Sequence, residues 1–250
     1  MMTSLMILMF LFMPQADLGQ AGFSFENGNQ LYQNGKYEQA ISQYRSVIDL
    51  GYESASLYYN LGNAYFKLND IGHAILYYEK AKKLAPRDAD ILHNLKIARV
   101  YVVDKIQVPN PGFIIKQWNR LITFFNTHQL SVMMVAFYIF FLLTLILYLV
   151  IRKSHIKSLI KFLVYPSAFA FAVFLLLFLL RLDYDRNHQR GIVLEEKVTV
   201  MSAPSEDAKE VFSIHRGLEL IITDQSGDYY RIRLADGKEG WLPGSDVGRI

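Results

Sequence analysis

The chain has 250 residues, of which 52% are hydrophobic, 14% aromatic and only 20% charged. Soluble domains carry about a quarter charged residues, so the apolar excess must be concentrated somewhere. A net charge of +3 offers no basic face for nucleic acid, and zero cysteines exclude disulfides, thiolate metal sites and a cysteine nucleophile.

The first element is an N-terminal apolar run, Leu5 to Met13, too short to span a membrane but of signal-peptide length. Gly19-Gln20-Ala21 supplies a small-x-small site, so residues 1–21 read as a signal peptide cleaved after Ala21. Met1 to Ser4 carry no Lys or Arg, which leaves an uncleaved anchor or a mis-assigned start as the alternatives.

Residues 22–107 repeat at an offset of 34, with Gly28 over Gly62, Ala40 over Ala74 and Tyr44 over Tyr78. In the second unit Leu61-Gly62, Tyr65, Ala74, Tyr78, Ala81 and Pro86 stand at the tetratricopeptide spacing. Small residues there let two helices approach, tyrosines fill between them, and proline starts the next turn. The segment resembles the tetratricopeptide family, with Leu31, Val47 and Tyr52 departing from the pattern in the first unit. A third start at Asp88–Tyr101 reads as a capping helix continuing to about Lys105. The resemblance implies a protein-binding groove lined by Phe25, Asn29, Tyr32, Tyr59, Asn60, Asn63, Phe66 and His93. Asn and Tyr there can bond a peptide backbone, or simply be exposed helix residues. Phe25 and Asp90 stand where a carboxylate-gripping member would have lysines.

Pro109-Asn110-Pro111-Gly112 breaks the chain, and residues 108–130 read as a linker with an amphipathic helix over Phe113 to His128. Ile114, Ile115, Trp118, Leu121, Ile122 and Phe125 share one face of it, opposite Lys116 and Arg120. Such a helix lies on a bilayer surface or packs on the neighbouring domain. Residues 131–151 and 162–180 carry no charge and are roughly 31 and 28 Å long as helices, enough to cross a membrane. Between them, 152–161 holds Arg152, Lys153, Lys157 and Lys161 without an acid, which predicts a cytoplasmic loop. Neither span carries an ionisable residue, so no ion pathway is expected.

After a linker, 181–191, the texture becomes alternating, and 192–250 predicts five short strands closed as a small barrel. Pro204-Ser205, Val211-Phe212, Arg216-Gly217-Leu218-Glu219, Tyr229-Tyr230-Arg231-Ile232 and Gly240-Trp241 resemble the bacterial SH3-like family. Trp241 is expected to be core or half-buried. With 7 Lys and Arg against 11 Asp and Glu over 191–250, this part is a poor match for anionic polymers.

The fold class is thus an all-α tetratricopeptide solenoid, a two-helix membrane hairpin and a C-terminal all-β SH3-like barrel. No helical His pair with a glutamate, phosphate-cradling loop or nucleophile elbow occurs, so neither catalysis nor a cofactor or metal is expected. The order of parts resembles the BatE-type proteins of Bacteroides aerotolerance operons. That resemblance implies a scaffold working with membrane proteins that bear von Willebrand factor A domains and with a MoxR-type ATPase, in envelope stress. Both terminal domains would face the periplasm from the inner membrane. Peptidoglycan binding by the barrel, and assistance in exported-protein maturation, are the alternatives.

Overall fold

The computed structural model describes residues 15–106, 112–125, 127–151, 153–187 and 189–250. They fall into two compact units, one of residues 1–107 with 190–250 and the other of 108–189. The expected apolar run Leu5 to Met13 lies outside the described residues, as do Pro109 to Pro111.

In the first unit five helices follow one another: α1 (Gln15–Gln33), α2 (Tyr37–Asp49), α3 (Ala55–Lys67), α4 (Ile71–Leu84) and α5 (Ala89–Val100). Side chains start three of them. Ser54 Oγ accepts the Leu57 N–H at 3.1 Å, Asp70 that of His73 at 3.2 Å, and Asp88 those of Asp90 and Ile91. Turns within the two helix pairs are made at equivalent places, Gly35 with φ 74° and Asn69 with φ 60°. Asparagine tolerates that left-handed conformation best after glycine.

The 34-residue offset is built into the packing. A methyl group on Gly28 would stand 2.6 Å from the Tyr44 ring, and one on Gly62 at the same distance from the Tyr78 ring. Each glycine therefore receives a tyrosine from the paired helix, and Ala40 and Ala74 are fully buried beside them. Val47 is buried where the second unit has Ala81, so the departure from pattern is absorbed in the core. The helix α1 runs unbroken past Ala21, which is itself buried in the array core. The last helix stops at Val100, short of the expected Lys105. Val102 turns into the interior, Asp104 bonds a strand, and the Lys105 ammonium donates back to the Val100 carbonyl at 3.2 Å.

Residues 189–250 form a seven-stranded sheet: β1 (Gln189–Val193), β2 (Lys197–Met201), β3 (Glu210–His215), β4 (Glu219–Ser226), β5 (Tyr229–Arg233), β6 (Glu239–Pro243) and β7 (Val247–Arg249). Their order is β3-β2-β6-β5-β4-β1-β7. Alternation puts Val198, Val200, Leu220, Ile222, Ile232 and Leu242 inside. Trp241 is half-buried on β6, opposite Met201 and Arg231. Two strands exceed the expected five. The added pair is β1 with β7, in register Gly191↔Arg249, Ile192↔Gly248 and Val193↔Val247. The first of these strands replaces the end of the expected linker because Ile192 and Val193 are fully buried, and burial needs a hydrogen-bonded backbone.

The second unit holds α6 (Phe113–Ile122), α7 (Thr127–Val150) and α8 (Ser154–Asn187). The amphipathic helix is shorter than expected. Thr123 closes it by bonding the Asn119 carbonyl through both its backbone N–H and its hydroxyl, and His128 belongs to α7. Much of the expected loop 152–161 is also helical, since α8 begins at Ser154 and carries Lys157 and Lys161. Two helices long and apolar enough to cross a membrane are present, with large side chains such as Leu143, Leu149, Phe169 and Leu176 turned outward. They meet through stacked Phe137 and Phe174 and through a buried Thr144–Ser167 hydroxyl contact at 3.2 Å. Each hydroxyl also lies within 2.9 Å of a carbonyl of its own helix, so one can donate there and the other across the pair, and neither is left unpaired in apolar surroundings.

Candidate partner-binding groove

The first helix of each repeat, with α5, presents asparagine and tyrosine side chains that bond one another across helices. Asn29 Oδ1 accepts the Tyr44 hydroxyl at 2.9 Å and the Asn60 amide at 2.9 Å. One repeat further on, Asn63 Oδ1 accepts the Tyr78 hydroxyl at 2.7 Å and the Asn94 amide at 2.9 Å. The Asn94 amide also reaches the Tyr59 hydroxyl at 3.0 Å. Both clusters follow the 34-residue offset: Asn29 over Asn63, Tyr44 over Tyr78, Asn60 over Asn94.

These bonds fix which way each amide points. The oxygens of Asn29 and Asn63 are filled from within, so their NH2 groups turn outward; that of Asn29 reaches Glu26 only at 3.4 Å. The NH2 groups of Asn60 and Asn94 are engaged, so their oxygens are the groups without a protein partner among the described residues. Every step of the ladder therefore offers one donor and one acceptor. A peptide unit in an extended chain carries the same two complementary groups.

Two adjoining recesses run along this ladder. The first, about 350 Å³, is lined by Glu26, Asn29, Tyr32, Tyr44, Asn60 and Asn63. The second, about 310 Å³, adds Tyr59, Phe66, Lys67, Tyr78, Asn94 and Ile97 and shares Tyr32 and Asn63. Burial pushes the Tyr44 phenol up to about 12 and raises those of Tyr32 and Tyr78, so all three remain neutral donors at neutral pH.

Of the residues expected to line a groove, Asn29, Tyr32, Tyr59, Asn60, Asn63 and Phe66 come together in the two recesses. Phe25 instead leans on the Tyr44 ring at 5.9 Å, and His93 points to solvent beside Asn94. Asn94, Ile97 and Lys67 also line the second recess, and Tyr44 and Tyr78 anchor the ladder. The repeat itself carried the signal for Asn94, since Asn60 displaced by 34 falls on it. Among the described residues no group of three or more His, Asp or Glu could hold a metal.

Comparison with known families agrees with this geometry. A TPR repeat profile matches residues 28–69, a tetratricopeptide repeat profile residues 55–88, and a bacterial SH3 domain profile residues 197–248. Tetratricopeptide repeats and a bacterial SH3 domain are present. No curated protein matches the chain. Repeats of this kind are interaction scaffolds, and the ladder lies where α1, α3 and α5 of the tetratricopeptide array face one another. The SH3 match leaves out β1.

Proposed function

We propose that this protein is a non-enzymatic, membrane-anchored adaptor that holds an extended segment of a partner protein in the tetratricopeptide groove. The observation that carries the reading is the outward donor and acceptor on each step of the Asn ladder. A surface meant only to be solvated has no need of amides clamped by buried tyrosine hydroxyls; clamped amides bind without first losing rotamer freedom. The two apolar helices supply the anchor, and an even number of crossings returns the chain to the side it left. That suits two domains sharing one compact unit. The base-rich stretch between the spans favours a cytoplasmic turn, and hence array and SH3 domain in the periplasm at an inner membrane, behind an N-terminal export signal. The helix α6, with Ile114 and Trp118 exposed on one face and Lys116 and Arg120 on the opposite one, would rest on the lipid surface.

The likeness to BatE-type proteins extends the reading to partners: other membrane proteins, including ones with von Willebrand factor A domains, in an aerotolerance or envelope-stress complex served by a MoxR-type ATPase. A second reading, cell-wall peptide binding by the SH3 domain, rests on the family match over 197–248.

Photo-crosslinking from position 32 tests the first. Tyr32 lines both recesses, and a crosslinking residue there should give adducts with envelope proteins in living cells. The pair Asn60→Ala and Asn94→Ala should abolish them while leaving helicity intact, because Asn29 and Asn63 keep their tyrosine donors. Adducts that persist in the double variant, or that involve only cytoplasmic proteins, would defeat the reading.

A further inference from the structure

The tetratricopeptide array and the SH3 domain meet along one stripe of α4. Ile71, Gly72, Ile75, Leu76 and Glu79 follow the i, i+1, i+4, i+5, i+8 rhythm of a single helix face. Approach is closest at glycines contributed from both sides. A methyl on Gly72 would stand 2.8 Å from the Val193 carbonyl oxygen and 3.1 Å from Leu194 Cα, both backbone. One on Gly217, whose φ is 83°, would stand 3.0 Å from Val102 and 3.1 Å from Ile75. One on Gly248 would overlap Leu76. From β1, fully buried Ile192 enters the core of the array, with Leu194 and Ile250 packed beside it.

The polar groups of the junction are all engaged. Glu79 is 1% exposed and receives Arg99 at 2.6 Å, Lys82 at 3.3 Å and Arg190 at 3.5 Å. Both arginines also bind Glu219 of β4, at 2.7 and 3.0 Å, closing a ring of two carboxylates and two guanidiniums. Asp104 accepts the His215 backbone N–H at 2.6 Å and lies 3.0 Å from its Nδ1. The strand β1, which brings Arg190, Ile192 and Val193 to this junction, lies outside the SH3 match.

An array of so few repeats needs something to cover its last unit. We propose that the SH3 domain is that cover: β1 and β7 seat on α4, while Glu219, Gly217 and His215 hold the end of α5, and α5 in turn carries Asn94 and Ile97 of the second recess. Arg99, Val102 and Asp104, on or just after α5, tie it to the sheet, while Asn94 and Ile97 look into the groove. The SH3 fold thus serves here as a structural part of the binding module. Only this consequence for the groove rests on the adaptor reading; the capping itself does not.

Hydrogen exchange of the full chain in lipid nanodiscs, with no partner added, tests it. Gly72→Val strikes backbone of the sheet from the array side, and Gly248→Leu strikes Leu76 from the sheet side while leaving the array sequence untouched. In both, amides of α5 should exchange at least about tenfold faster together with those of β1 and β7 and the His215 amide bonded to Asp104, whereas α2 and the rest of the β2–β3 hairpin keep their protection. Release of β1 and β7 with α5 still protected would overturn the proposal, as would unchanged exchange in both variants. Should Gly72→Val loosen the whole array, Gly248→Leu decides.

Discussion

The groove and the junction with the sheet are both built on the last repeat and α5, from opposite kinds of surface. At the junction every charged group is consumed internally: Glu79 has three cationic partners and Glu219 two. In the groove the internal bonds stop halfway, leaving the outer amide groups of Asn60, Asn63 and Asn94 without a protein partner among the described residues and that of Asn29 with only a 3.4 Å contact to Glu26. The junction also excludes solvent through glycine contacts with backbone, while the groove stays open in two recesses. A polar network with all its capacity used is a fastener. One with capacity left over, held rigid from behind, is a surface for something else.

The largest effect should come from breaking the fastener. Glu79→Ala removes a buried carboxylate and leaves Arg99 and Arg190 facing each other across the junction. Losing one partner of a buried pair costs about 3–5 kcal/mol, but both arginines are partly exposed and can rehydrate, so roughly 2–3 kcal/mol is expected. Chemical denaturation of the full chain, followed by far-ultraviolet circular dichroism, measures it. A loss below about 0.5 kcal/mol would place the ring among surface ion pairs of little weight.

The next prediction separates the two classes of asparagine within the groove. Asn63→Ala strips the acceptor from the Tyr78 hydroxyl, and Tyr78 is 1% exposed, so an unsatisfied buried donor should cost about 1–2 kcal/mol. Asn94→Ala leaves Asn63 its tyrosine donor, and the half-exposed site admits water, so its cost should stay under about 1 kcal/mol. Equal losses for the two substitutions would mean that the ladder is structural throughout, and the distinction from the junction would fall.

What the sequence disclosed follows from range. Gly62 facing Tyr78 was legible because the 34-residue offset repeats it at Gly28 and Tyr44. The strands β2, β4 and β5 were legible through alternation, as in Tyr229-Tyr230-Arg231-Ile232, a strictly local signal. By contrast β7 has only three residues, and β1 does not alternate, since its glycine, Ile192 and Val193 are buried in succession. The ring of Glu79, Arg99, Arg190 and Glu219 joins positions up to 140 apart, and nothing in a local window marks four such residues as neighbours. The groove was half legible. Family spacing finds Asn29, Asn60 and Asn63, but it takes the fold to show that Phe25 packs away on Tyr44 and that Asn94 completes the second step. The helix limits misjudged at Lys105 and His128 were set by tertiary contacts and by Thr123, which end a helix where composition alone would let it run.

The smallest effect is a titration that reads the array from inside. Burial holds the phenols of Tyr44 and Tyr65 up to about 12 and raises those of Tyr58 and Tyr78 as well, against an ordinary value near 10. A folded-state value above the unfolded one means that the native array keeps protons which the unfolded chain releases. Stability from these groups is therefore complete below about pH 10 and is lost as pH climbs from there towards about 12. Denaturation midpoints should be flat up to about pH 9.5 and then fall, with tyrosinate absorbance appearing together with loss of helicity. In Asn63→Ala the Tyr78 hydroxyl has lost its acceptor for the neutral donor. The alkaline fall should then start from a lower stability without changing its pH range, because burial, rather than the asparagine, is the main reason the phenol resists ionisation. An array that ionises its tyrosines near pH 10 with helicity unchanged would show that water reaches them, and the rigid backing of the groove would be lost with it.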